Sequence, residues 1–251
     1  MGNQCCNDAE TDQTDGVLKS DTRVKKIQLN EQHPQQDIAV IKEEPKPDHS
    51  AFDRVDESFF ELNNVQKQLL KERGLYNFWS SEAELAGTER FKIARSSGPS
   101  FKFMGQMSND KKNGKAHFRY PNGDFAVVTF VNDVAQGTGA LYCTNGDYYF
   151  GKIANNQKLE GLLRLADGST YRGSFRDNLY EGQGVFKFAD GRVYTGNYAK
   201  GLRSGFGEYN WTDGSKYVGE WANNKQHGEG IFVERDGKER KGKFAEGNHV
   251  L

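Results

Sequence analysis

The chain has 251 residues with 34 Lys+Arg against 35 Asp+Glu, a formal net charge of −1. That balance excludes the basic footprint with which a general nucleic-acid binder releases phosphate counterions. Only 35% of residues are hydrophobic, while 29 are Gly and 12% are aromatic, a profile that suits short strands and turns better than packed helices.

No window approaches the roughly 20 consecutive apolar residues that span a bilayer, and the N-terminus lacks the apolar run of a secretory signal. The chain is therefore expected on the cytosolic side. It opens Met1-Gly2-Asn3-Gln4-Cys5-Cys6. Gly2 becomes the N-terminus once Met1 is removed, as N-myristoylation requires, with Cys6 standing where the pattern prefers Ser or Thr. Cys5 and Cys6 beside it are natural S-palmitoylation sites. Two acyl chains matter because one myristoyl group gives only marginal binding without a second chain or a polybasic patch. Residues 1–50 hold 10 acidic and 6 basic side chains, a balance of −4, so the patch is missing. Residues 1–6 are thus expected to be an acylation segment. With Cys143 the cysteines total three, and an odd count argues against a disulfide framework and for Cys143 as a small apolar thiol.

Residues 7–52 are rich in Asp, Glu, Gln, Asn and Lys, with Pro34, Pro45 and Pro47, and read as a disordered tether. Across 54–73, Val55, Phe59, Leu62, Val65, Leu69 and Leu70 form a stripe at helical spacing ended by Gly74, which predicts one helix. Ser81-x-x-Glu84 has the form of a capping box and predicts a second, short helix. This region, 53–96, is expected to cap the first repeat or lie on the aromatic face described next.

From residue 97 to 251 the chain is periodic. Asn122-Gly123, Asn145-Gly146, Asp167-Gly168, Asp190-Gly191, Asp213-Gly214 and Asp236-Gly237 recur at spacings of 23, 22, 23, 23 and 23 residues, giving six repeats and a partial seventh. A second glycine column runs through Gly105, Gly151, Gly173, Gly196, Gly219 and Gly242, with Val128 in the second unit. Gly-x-Gly pairs such as Gly182/Gly184, Gly205/Gly207 and Gly228/Gly230 form a third. Aromatic and aliphatic residues flank these columns at a spacing of two, so each unit reads as two short strands, thirteen in all. Asp-Gly is expected to supply the tight hairpin turn with positive φ at both central residues. Tyr171, Phe175, Tyr194, Tyr198, Tyr209, Trp211, Tyr217 and Trp221 share parity with the glycines, so rings should lie over bare backbone on one face. The opposite parity, Lys187, Thr195, Asn197, Glu208 and Asn210, is polar. The fold class is mainly β: one twisted, single-layer antiparallel sheet of stacked hairpins. Rings left exposed on such a sheet would mark a partner site.

The unit Tyr194-x-Gly196-x-Tyr198, Gly205-x-Gly207, Asp213-Gly214, followed by Tyr217-x-Gly219-x-Trp221, Gly228-x-Gly230, Asp236-Gly237, resembles the MORN (membrane occupation and recognition nexus) repeat. The resemblance implies an elongated hairpin sheet and cortical or cytoskeleton-linked assembly. Phosphate-loop, zinc and nucleophile-elbow motifs do not occur, so the chain reads as a non-enzyme without a cofactor or metal. Lys111, Lys112 and Lys115, and Lys238, Arg240, Lys241 and Lys243, are candidate contacts to anionic or phosphoinositide headgroups. The reading is a scaffold on a cytosolic membrane face, plasma or cortical, with a protein partner of unidentified, cytoskeletal type and room for a homodimer. A soluble cytoskeletal or axonemal component, or a regulatory subunit of an enzyme, stands beside it.

Overall fold

A computed structural model describes residues 57–73, 92–98 and 101–250. The acylation segment, the tether and the capping box at Ser81 and Glu84 lie outside the described residues. The chain divides at Asp167 and Gly168 into two compact units.

The first unit begins with α1 (Glu57–Phe60) and α2 (Asn64–Arg73), where the apolar stripe predicted one helix. The break has a local cause. Glu61 takes a φ of 52°, and Asn63 then starts a new helix. The Asn63 side-chain oxygen accepts from the Gln66 amide at 2.8 Å, while the Gln66 side-chain oxygen accepts from the Asn63 amide at 3.1 Å. This reciprocal pair satisfies two N–H groups that a helix start leaves open.

Seven strands follow: β1 (Lys92–Gly98), β2 (Phe101–Ser108), β3 (Lys111–Arg119), β4 (Phe125–Val131), β5 (Val134–Tyr142), β6 (Tyr148–Ala154) and β7 (Gln157–Arg164). Each pairs antiparallel with the next. The second unit carries β8 (Thr170–Arg176), β9 (Leu179–Lys187), β10 (Val193–Ala199), β11 (Leu202–Asn210), β12 (Lys216–Ala222), β13 (Lys225–Val233), β14 (Glu239–Ala245) and β15 (Asn248–Val250), paired in the same way. The thirteen expected strands are β2 to β14. The addition of β1 falls in the stretch assigned to a helical linker; its one large apolar residue, Ile93, leaves no periodic signal, and pairing with β2 defines it.

The turn assignment is reversed. In Asp213-Gly214 only the glycine has positive φ, 89°, and its amide donates to the Trp211 carbonyl at 3.2 Å. The two-residue turns with both φ positive are the polar pairs at the opposite ends of the strands, such as Asn155-Asn156 (51° and 64°) and Asn223-Asn224 (50° and 68°). Asn tolerates the left-handed region and supplies a side-chain acceptor, so it serves this turn as well as Asp-Gly does. The Asn224 side-chain oxygen accepts from the Arg203 amide at 2.7 Å, and the Asn224 amide donates to the Arg203 carbonyl at 3.1 Å. Asn156 does the same with Ala135. Each turn is thereby tied to the repeat before it.

The units differ in their cores. In the second, β8 to β12 alternate strictly, burying the ring-bearing parity and leaving the other partly exposed. In the first, both parities are buried: Phe125, Val127, Ala140, Tyr142, Tyr148 and Phe150 form one cluster with Phe60, Leu62 and Leu70 of the helical segment. The helices therefore cover the face opposite the glycines, not the ring face that was one of the two places expected for them. The reason is compositional: the positions that hold Thr195 and Asn210 in a later repeat hold Val127 and Tyr142 here, and those that hold Thr170 and Arg172 hold Tyr148 and Phe150. A fully buried Phe60 contributes about 2–3 kcal/mol from area alone.

Candidate functional site

Ring positions in the second unit are built by glycine. Tyr171, Tyr194 and Tyr217 occupy equivalent places in β8, β10 and β12. A Cβ added at Gly184, Gly207 or Gly230 on the following strand would stand 2.5–2.6 Å from the Cε2 of these rings. Only bare backbone lets a phenol ring lie that flat. The first glycine of each Gly-x-Gly pair serves the backbone instead. Gly205 adopts a φ of 71°, and a Cβ there would meet no ring.

Each hydroxyl then finds a carbonyl three residues downstream. Tyr171 donates to Ser174 at 2.9 Å, Tyr194 to Asn197 at 3.0 Å and Tyr217 to Glu220 at 3.0 Å. These carbonyls sit where strand register shifts, after Gly173, Gly196 and Gly219. A bulge disrupts the ladder locally, and the phenol satisfies the group it releases. In the first unit Tyr149 repeats the device, donating to Lys152 at 2.7 Å, whereas Phe103 and Ala126 bring no hydroxyl. Burial pushes the Tyr149, Tyr171 and Tyr217 phenols well above their ordinary value.

The expectation of an open aromatic surface is overturned. Tyr171, Tyr194 and Tyr217 are fully covered, and Phe175, Tyr198, Tyr209 and Trp221 are no more than 5% exposed; only Trp211 keeps partial exposure. Rings cover one another edge to face, Tyr194 on Trp221 at 5.2 Å and Tyr217 on Phe244 at 4.8 Å, while Tyr171 stacks on Tyr180 at 4.0 Å. Arg203, 4% exposed, closes the row: its guanidinium lies 4.8 Å from the Trp221 centroid and 5.3 Å from that of Tyr209, and it donates to the Asn224 carbonyl at 3.0 Å. Such an ammonium- or guanidinium-on-ring contact gains strength when desolvated. These residues form the second unit's core, not its docking surface.

Arg203 and Gln66 were missed by the reading of the sequence. The signal for Arg203 was present, because Lys112, Lys158 and Arg203 occupy the same second position of β3, β7 and β11. Lys158 is likewise buried, 5.7 Å from the Tyr149 centroid, and Lys112 lies 5.5–5.9 Å from four phenylalanine rings. Gln66 carried no periodic signal. Its amide nitrogen donates to the carbonyls of Gly123 and Tyr142, both at 3.0 Å, fastening α2 to the sheet.

The candidate headgroup residues divide between β3 and the last hairpin. Lys111 and Lys238 are exposed, and Lys112 pairs with Asp133 at 3.4 Å. Around β14 the cations are balanced: Arg240 pairs with Glu234 at 2.7 Å, Lys241 with Glu239 at 2.7 Å and Lys243 with Glu229 at 4.0 Å. Lys115 donates its backbone amide to Gln106. Gly2, Cys5 and Cys6 lie outside the described residues. Cys143 is buried. Among the described residues no cluster of His, Cys, Asp or Glu is set to hold a metal, and no helix is long and apolar enough to cross a membrane.

The open part of the second unit is the polar parity. Asn210 donates to Glu208 at 2.8 Å, Lys216 pairs with Glu208 at 3.8 Å and Gln183 donates to Asn197 at 2.9 Å. This self-paired sheet face offers donors and acceptors with scattered apolar contacts at Val185, Phe206 and Val218.

A family model of the MORN repeat matches residues 103–125, 129–148, 171–191, 194–216 and 217–239. The repeat between the second and third matches, with the 22-residue spacing and Leu159 in place of Gly, still forms the β6–β7 hairpin. No curated protein sequence matches the chain. Among solved structures, the TCP domain of SAS-4 (dCPAP) from Drosophila melanogaster, in complex with a proline-rich motif of Ana2 (dSTIL), is similar at 12% identity. The similarity covers 61% of this chain and 90% of that one, with a TM-score of 0.35.

Proposed function

This chain is a MORN repeat protein, and we propose that it is a non-enzymatic scaffold held on a cytosolic membrane face by acylation of Gly2 and of the Cys5–Cys6 pair. The observation that carries the reading is the joining of a Met-Gly start with adjacent cysteines to a repeat array whose rings are spent on its own core. Attachment then rests on acyl chains, because Arg240, Lys241 and Lys243 already hold carboxylate partners and have little charge left for headgroups. Recognition rests on the polar parity of the second unit, a surface for a protein of the cortex or cytoskeleton.

The test is fractionation and imaging of the C-terminally tagged chain beside Gly2→Ala and a Cys5→Ser/Cys6→Ser double variant. Wild type should pellet with membranes and be released by detergent, and both variants should become soluble. Equal distribution of all three would remove the anchor and leave the soluble cytoskeletal component as the reading.

A further inference from the structure

His117 lies on β3 in the face of the first unit that α1 and α2 cover. It is 4% exposed, its ring stands 6.1 Å from that of Phe60 in α1 and 5.7 Å from that of Phe125 in β4, and its Nδ1 has no hydrogen-bond partner among the described residues. Across the sheet it faces Met104 of β2 and Val127 of β4. An imidazole in apolar packing without an acceptor tolerates only its neutral form.

We propose that α1 and α2 are a proton-released cover, and that protonation of His117 ejects it and exposes the face formed by Phe125, Tyr142, Tyr148 and Phe150. The charged groups around the site do not supply a counter-ion. On α1, Glu57 is paired with Lys67 of α2, and Glu61 beyond it is paired with Lys102 of β2. On β3, Lys115 and Arg119 carry the same sign as the imidazolium. Beside β4, Asp124 is engaged by Thr144 and Asn122. Burial alone draws the His117 imidazole down to about 4.

The linkage has one direction. With the cover off, the imidazole meets water and returns toward its ordinary value near 6.5. Between those two values the docked state binds fewer protons, so docking is fully stable above about pH 6.5 and weakens about tenfold per pH unit toward pH 4. The docked-to-released ratio falls about tenfold by pH 5.5 and nearly a hundredfold by pH 4.5. What is released is held by Phe60, Leu62 and Leu70 on the apolar cluster with Phe59 and Leu69 packed against it, the two bonds from Gln66, the Asn63 side-chain amide donating to the Thr144 carbonyl at 3.2 Å and the Glu61–Lys102 pair.

Methyl NMR of the full chain reads the ratio, because the Leu62 and Leu70 methyls pack among rings only when docked, while Leu141 and Leu163 report the sheets. Gln66→Ala weakens docking enough to bring both states into view. In that background the released fraction should climb between pH 7 and 4.5 while Leu141 and Leu163 hold their shifts. Adding His117→Leu, which keeps the apolar volume and every other titratable group, should flatten the climb. An equal pH slope with and without the imidazole overturns the proposal, as does loss of the sheet methyls together with those of the cover.

Discussion

The two units are made from one repeat and solve burial differently. In the second, one parity is aromatic and the other polar, so the sheet is its own core and a hairpin needs only its neighbours. In the first, both parities are apolar, from Phe125 and Val127 through Ala140 and Tyr142 to Tyr148 and Phe150, and a segment from outside the repeat must cover the surplus. Repeat identity therefore resides in the glycine and turn columns, while the intervening positions decide whether a hairpin pair is self-sufficient.

The largest difference between the units is expected from Phe60→Ala. Phe60 is fully buried against the face that the second unit lacks, and truncating such a phenylalanine costs about 3–4 kcal/mol. The loss should be confined to the first unit. Hydrogen exchange should show lowered protection in β4 and β5 with β10 and β11 unchanged; equal loss in both would show that the cover is not specific to one unit.

A smaller effect sets one glycine against another. Gly207→Ala drives a methyl against the Tyr194 ring, which is held on its other sides by Tyr198, Trp221 and Arg203, and should cost about 2–3 kcal/mol by overpacking. A Cβ at Gly139, its counterpart in the second repeat, would meet the Val127 carbonyl oxygen and a Val128 methyl at 2.9 Å and the Ile153 side chain at 3.0 Å, because Ala126 stands where a tyrosine would. These contacts are looser than the 2.4–2.6 Å at Gly207, and the aliphatic ends among them give way more readily than a wedged ring, so Gly139→Ala should cost about 1–2 kcal/mol. Denaturant unfolding of the two variants checks the order.

How far this was legible in the sequence follows the same division. The period, the hairpins and the ring-over-glycine pairing could be read because they depend on residues repeated at fixed spacing. Burial of the rings could not, since parity says which residues share a face and is silent about what covers it; Tyr180 and Arg203 had to be seen folded over the row. The helix break at Glu61 was hidden under a stripe that continues through it, and the opening signal was Asn63 with Gln66, a capping pair masked by the apolar residues around it. The apolar face of the first unit was readable at Phe125, Val127, Tyr148 and Phe150 but was overlooked, because the polar pattern of the later repeats was carried back to the earlier ones. The proposed anchor rests on residues 2, 5 and 6, where the sequence alone bears the argument.

The smallest expected difference concerns alkali. Burial raises the Tyr171 and Tyr217 phenols in the second unit and the Tyr149 phenol in the first. Below about pH 10 both folded and unfolded phenols are protonated and their contribution is intact. Above it the unfolded chain ionises while the folded rings cannot, so stability is lost as pH rises toward the folded values. For Tyr171 the loss is about 1.4 kcal/mol per pH unit. Unfolding midpoints between pH 9 and 11 should therefore fall in both units, and Tyr171→Phe should remove part of that slope from the second alone. The same variant leaves the Ser174 carbonyl without its phenol donor, so it should begin from a lower midpoint at pH 8 and converge on wild type as the pH rises. A constant gap across the range would mean that the ring matters to the second unit only as volume over glycine, and not as the group that closes the bulge.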